Sequence, residues 1–239
     1  MTEPLVLLHG FAGTRRSWQP VAERLGTQRY RPLALDLRGH GDAAHARPVT
    51  PAACTADVLA ASGGRFALCG YSLGGRLALH VALAAPERVT RLILLATTAG
   101  IAGPSERAAR RRADEALAAE IERSTIEAFA DRWIAQPLFA GTPPAVVRAW
   151  RADLARNVPA GLAAALRGLG PGAMAPLWDR LPELDVPATV VAGARDPAYL
   201  VLAERLASAL PRAELVVVPA AGHGLAREAP GAVAGLLAA

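Results

Sequence analysis

Three short stretches, far apart along the chain, carry side chains that could move a proton and hold a developing negative charge together. The first is Gly70-Tyr71-Ser72-Leu73-Gly74. An apolar run, Phe66-Ala67-Leu68-Cys69, enters it and a second apolar run, Leu77-Ala78-Leu79, leaves it. That is the context in which Gly-x-Ser-x-Gly presents a serine hydroxyl on a tight strand-to-helix turn. Glycine suits the flanking positions because strand and helix pack closely there and unusual dihedrals are needed. A serine hydroxyl is a weak base and a weak nucleophile until an imidazole takes its proton and a carboxylate orients the imidazole. On a strand–turn–helix scaffold of this kind the partners follow in the order Ser, Asp, His. Of the five histidines, His9, His40 and His45 precede Ser72, and His80 lies on the helix leading away from it. His223, in Ala221-Gly222-His223-Gly224, follows a strand-like run, and Asp196, in Gly193-Ala194-Arg195-Asp196, follows the strand-like run before that. Ser72, Asp196 and His223 are therefore the expected catalytic set. The backbone N–H groups of Phe11 and Leu73 are the expected oxyanion hole. His9 and Asp36 read as braces for their loops.

These groups can meet only if the elements around them form one sheet. Continuous apolar runs at 5–8, 32–35, 65–69, 89–95, 188–192 and 214–218 read as strands buried on both faces. Helical patterns at 17–25, 52–61, 73–84, 200–210 and 231–237 alternate with them. Alternation of this kind predicts an α/β fold, a doubly wound, mostly parallel sheet with right-handed crossovers. Loops at the carboxyl ends of parallel strands are where such folds bind ligands. Gly10, Asp36, Ser72, Asp196 and His223 all fall there. Between residues 100 and 181 the strand rhythm stops. Helical segments at 105–123, 126–133, 144–157 and 161–166, broken by prolines, predict an inserted lid. The expected organisation is a core of residues 1–99 and 182–239 with a helical lid at 100–181.

Composition narrows the function. The 239 residues are 52% apolar and 20% charged, enough for one sizeable globule. The net charge of +5 comes from arginine alone, since the chain contains no lysine. The arginines are dispersed except at Arg107, Arg110, Arg111 and Arg112, and aromatic residues are scarce. No nucleic-acid partner is expected from that pattern. Cys54 and Cys69 lack metal-ligand or redox spacing and read as reduced core thiols. No metal and no cofactor are expected. No apolar run reaches membrane-span length and no secretory leader is visible, so a cytoplasmic enzyme with no membrane insertion is the expectation.

The motifs resemble the α/β-hydrolase superfamily, and the likeness extends further. His9-Gly10-Phe11-x-Gly13 with Trp18, Asp36-Leu37-x-Gly39-His40-Gly41, Gly70-Tyr71-Ser72-Leu73-Gly74-Gly75-Arg76 and Trp133-x-x-Gln136-Pro137-Leu138-Phe139-Ala140 together resemble one family. It is the 2-succinyl-6-hydroxy-2,4-cyclohexadiene-1-carboxylate (SHCHC) synthases of menaquinone biosynthesis. The similarity runs from about Leu5 to Pro230. It implies a carbon–oxygen lyase that eliminates pyruvate from a small tricarboxylate substrate. It further implies that Tyr71, Arg76, Arg110, Trp133 and Arg156 bind that substrate. Arg76 also fits on its own terms, because it stands one helical turn beyond Ser72 and a guanidinium pairs well with a carboxylate. Two positions depart from the family pattern: Ala198 replaces a lysine and Ala226 replaces a histidine. The same triad could instead serve a carboxylesterase or thioesterase through an acyl-enzyme, and the fold could serve a non-catalytic binding protein.

Overall fold

The computed structural model describes residues 2–26 and 29–239. Among the described residues six strands form one sheet: β1 (Glu3–Leu8), β2 (Tyr30–Leu35), β3 (Phe66–Tyr71), β4 (Val89–Leu95), β5 (Ala188–Gly193) and β6 (Ala213–Val218). They lie in the order β2-β1-β3-β4-β5-β6, and all five neighbouring pairs are parallel. Ten α-helices among the described residues accompany them: α1 (Gln19–Ala22), α2 (Pro51–Ser62), α3 (Leu73–Ala84), α4 (Pro104–Glu122), α5 (Ile126–Ile134), α6 (Pro144–Leu154), α7 (Pro159–Leu169), α8 (Pro197–Ala209), α9 (Leu225–Glu228) and α10 (Pro230–Ala238).

Side chains alternate across each strand, so one apolar run feeds two cores. Val6, Leu8, Leu68, Leu92 and Val190 pack with residues of α2, α3 and α8 on one face. Leu5, Leu7, Ala67, Cys69 and Ile93 pack with Trp18, Val21 and the α10 residues Val233 and Leu237 on the other. Burial on both faces is why these strands read as unbroken apolar stretches. The helices α4–α7 sit between β4 and β5 and have a core of their own, built from Ala118, Ile121, Phe129, Leu154, Leu162 and Leu166. No helix among the described residues is long and apolar enough to cross a membrane.

Element boundaries moved where side chains cap the chain. The expected helix at 17–25 is a 3-10 turn, Arg15–Trp18, capped by the Thr14 hydroxyl, followed by α1 restarting at Gln19-Pro20. Pro20 lacks an N–H and is tolerated only in the first helical turn. α6 stops at Leu154 rather than 157, because the Asn157 side chain donates to the carbonyls of Leu154 and Ala12, both at 3.0 Å. α7 starts two residues earlier than expected, with Pro159 at its first position. The four-residue helix α9 was not foreseen, being too short to show periodicity.

Candidate active site

The site begins with a strained residue. Ser72 has φ 52° and ψ −110°, a region that non-glycine residues occupy only when their surroundings force them. Its N–H donates to Leu95 O at 2.9 Å, and Thr97 Oγ1 donates to its carbonyl at 2.7 Å. A Cβ at Gly70 would overlap the Gly74 carbonyl, and one at Gly74 would overlap the Leu8 carbonyl. Strand and helix approach so closely that only glycine fits at either position.

His223 and Asp196 come from the loops after β6 and β5. The His223 Nδ1–H donates to Asp196 Oδ2 at 2.8 Å, and Asp196 Oδ1 accepts from Tyr199 N at 3.2 Å, so the acid also caps α8. Both side chains are buried, and Nε2 of the imidazole is left for the cavity that Ser72 also lines. That hydrogen bond fixes the tautomer with Nε2 as the proton acceptor. Phe11 and Leu73 line the same cavity, and neither N–H is taken up by a hydrogen bond among the described residues. Leu73 opens α3, where an N–H has no intrahelical acceptor. His9 braces, as its sequence context indicates: its Nδ1–H donates to Gly10 O at 2.8 Å and its Nε2 accepts from Leu37 N at 3.0 Å. Burial pushes the His9 and His40 imidazoles down from the ordinary histidine value, so both stay neutral. Asp36 anchors its loop by accepting from Arg15 N, the Arg15 guanidinium and Asp42 N.

The cavity encloses about 170 Å³. Its floor is Ser72, His223, Tyr71 and Arg76; its roof comes from Arg110 on α4, Trp133 on α5, Trp150 on α6 and Leu166 and Leu169 on α7. Arg76 is 7% exposed, donating to Leu169 O at 2.9 Å and contacting Met174 Sδ at 3.4 Å. Among the described residues no carboxylate lies within ion-pair distance of it. Burial, with Arg110 nearby, pushes its guanidinium down to about 10, still fully charged near neutrality. A buried cation is costly unless an anion joins it, so this wall is suited to an anionic ligand. Arg110 reaches the same cavity but is half-exposed and pairs with Asp114 at 2.7 Å. Asp114 in turn accepts from Gly172 N at 3.1 Å.

The structure places Arg156 apart from these residues. It is exposed on the turn after α6 and is not among the residues lining the cavity. The physical reason is local: Asp153 and Asn157, on either side, are buried against the Phe11 loop, which turns position 156 outward. Burial also raises Tyr71's phenol well above the usual tyrosine range, leaving it neutral.

The profile of the Alpha/beta hydrolase family matches residues 5–236. This chain belongs to that family. Among its relatives is the 2-succinyl-6-hydroxy-2,4-cyclohexadiene-1-carboxylate synthase of Enterobacter sp. (strain 638), 34% identical over 98% of this chain and 90% of the relative. Among solved structures, MenH from S. aureus superposes with a TM-score of 0.92 at 30% identity, covering 99% of this chain and 92% of that one. A thermophilic esterase from Thermogutta terrifontis, solved with malate bound, gives a TM-score of 0.84 at 29% identity over 99% and 88% of the two chains.

Several wall residues were not singled out from the sequence. The Tyr199 ring lies 4.3 Å from the His223 ring, and Trp150 packs on Phe139 at 4.5 Å. Tyr199 sits three residues after Asp196, in the first turn of the helix that Asp196 caps. Reading Asp196 as an N-cap would have pointed to it.

Proposed function

We propose that this alpha/beta hydrolase is a carbon–oxygen lyase, eliminating pyruvate from 2-succinyl-5-enolpyruvyl-6-hydroxy-3-cyclohexene-1-carboxylate to give SHCHC in menaquinone biosynthesis. The observation that carries the reading is Arg76, a buried guanidinium with no carboxylate partner among the described residues, on the same cavity wall as Ser72 and His223. The ring carbon bearing the succinyl ketone is acidic, because its conjugate base is an enolate. His223 Nε2 draws the proton from Ser72 Oγ, and the serine oxygen takes the ring proton. The electron pair moves through the ring double bond, the carbon–oxygen bond to the enolpyruvyl group breaks, and a 2,4-diene remains. The departing enolpyruvate regains a proton at carbon and leaves as pyruvate. The N–H groups of Phe11 and Leu73 hold the enolate oxygen. Arg76 and Arg110 hold carboxylates, and Tyr71 and Trp133 complete the wall.

Pyruvate release from the enolpyruvyl substrate, followed with lactate dehydrogenase, tests this directly. Ser72→Ala should lower kcat by at least about 10³-fold. Arg76→Ala should lower kcat/KM by about 30-fold or more, the cost of an unpaired charged hydrogen bond. Absence of turnover by the wild type would overturn the assignment. The esterase likeness favours a second reading, acyl transfer through the same triad. Rapid turnover of neutral p-nitrophenyl esters, unaffected by loss of Arg76, would support that instead.

A further inference from the structure

Glu228, the last residue of the short helix α9, lies outside the cavity lining and outside the triad, yet its side chain is only 3% exposed. Burying a carboxylate is costly unless every oxygen is met by donors. Here three donors meet it. Gly222 N donates to Oε2 at 2.9 Å and Gly224 N donates to Oε1 at 3.0 Å, so one carboxylate takes up both backbone N–H groups flanking His223. Arg195, the residue immediately before Asp196, donates to Oε2 at 2.6 Å. Its other nitrogen donates to Gly141 O, in the segment between α5 and α6, at 2.8 Å. Space forces the same arrangement, since a Cβ at Gly222 would sit 3.1 Å from Glu228 Oε1 and one at Gly224 would sit 2.8 Å from the Trp150 ring.

From these contacts we infer that Glu228 is a positioning residue for His223. The imidazole is held at its ring by Asp196 and through its backbone by Glu228, and Arg195 ties the two holds together. The inference rests on the triad of the proposed function but not on the identity of the substrate. Glutamine at 228 has one oxygen where glutamate has two, and its NH₂ would face an amide donor or a guanidinium. The loop should then shift, and a sub-ångström shift of a proton-transfer group is felt mainly in kcat.

The test uses the full chain with Glu228→Gln and Arg195→Met, read three ways. The first is the kcat-against-KM split, the second the rate at which a fluorophosphonate labels Ser72, and the third the downfield proton resonance of the His223–Asp196 hydrogen bond. Glu228→Gln should lower kcat and the labelling rate together by about 10- to 100-fold with KM changed less than about 3-fold, and should move or broaden the resonance. Arg195→Met keeps both amide contacts and should cost about 5-fold in kcat, with a smaller shift of the resonance. Labelling needs no substrate, so it reads the triad even if the lyase assignment fails. Wild-type kcat, labelling and resonance in folded Glu228→Gln would overturn the inference. If that variant does not fold, wild-type values in Arg195→Met would overturn it.

Discussion

The floor and the roof of the cavity hold functional groups by different means. On the floor, Ser72 and Asp196 follow the fully buried strands β3 and β5, His223 lies in the loop after the edge strand β6, and each is fixed by two or more directional contacts. On the roof, the charged side chains are tethered by helix-surface pairs such as Arg110–Asp114, with one partner half in water. Arg76 belongs to the floor, on α3, yet its hydrogen-bond acceptor is the carbonyl that ends α7 in the roof. The difference is one of energy scale. A group held in a packed, water-poor setting interacts strongly and loses much when altered, whereas a solvent-screened one loses little. The two regions are also stitched together. Asp153 of α6 is buried and accepts from Thr14 N, Ser17 Oγ and the Arg227 guanidinium, joining the roof to the loop that carries the Phe11 amide.

The sharpest break of this comparison is Arg76→Met. It should lower kcat/KM about 30- to 100-fold while raising the Tm of the ligand-free protein by about 2–6 °C, because an unpaired buried cation gives way to an apolar side chain. The sign follows from the guanidinium, whose folded value of about 10 lies below its ordinary 12.5. The charged form is disfavoured in the fold at every pH below that value. The penalty is therefore full at neutral pH and fades only as pH rises from 10 toward 12.5. Calorimetry of the two proteins without ligand checks it, and an unchanged or lower Tm would count against the carboxylate-free setting of Arg76.

Next in size is the acid side of the stability curve. His9 and His40 are buried, and both imidazoles are pushed down by burial. The unfolded chain therefore binds their protons first. Stability should be complete above about pH 6.5 and fall as pH drops toward the folded values, by up to about 1.4 kcal/mol per pH unit for each histidine. Urea midpoints between pH 7 and 5 measure the slope. His40→Phe, which keeps a ring against Phe11 (5.6 Å between ring centroids in the native contact), should flatten it.

The smallest effects should separate two roof arginines. Arg110→Ala should raise KM about 3- to 5-fold, as expected for a half-exposed contact. Arg156→Ala, which removes an exposed side chain off the cavity, should change KM by less than about 2-fold. Equal losses at both positions would mean that the roof closes further over ligand than it does here.

Much of the site was legible because its floor uses local signals. Leu5-Val6-Leu7-Leu8 reads as a doubly buried strand because every residue is apolar, and the glycines around Ser72 read as an elbow because strand and helix crowd there. Asp196 and His223 each follow a strand directly, so chain order alone brought them to one rim. The roof was less legible. Arg110 and Arg156 look alike along the chain, yet Arg110 stands on α4 over the cavity while the inward turn of Asp153 and Asn157 leaves Arg156 facing water. Tyr199 and Glu228 carry no motif of their own; each matters through a loop brought near it by the fold.

Apolar periodicity, glycine placement and the order of strand-end residues were sufficient for the sheet, the elbow and the meeting of Ser72, Asp196 and His223 at one rim, because those features depend on near neighbours in the chain. Which arginine faces inward, which carboxylate clasps the histidine loop and which acid pins the roof to the Phe11 loop were decided only in three dimensions. They depend on hydrogen bonds between residues as far apart as Ser17 and Asp153, where direction and burial, rather than residue type, set the outcome.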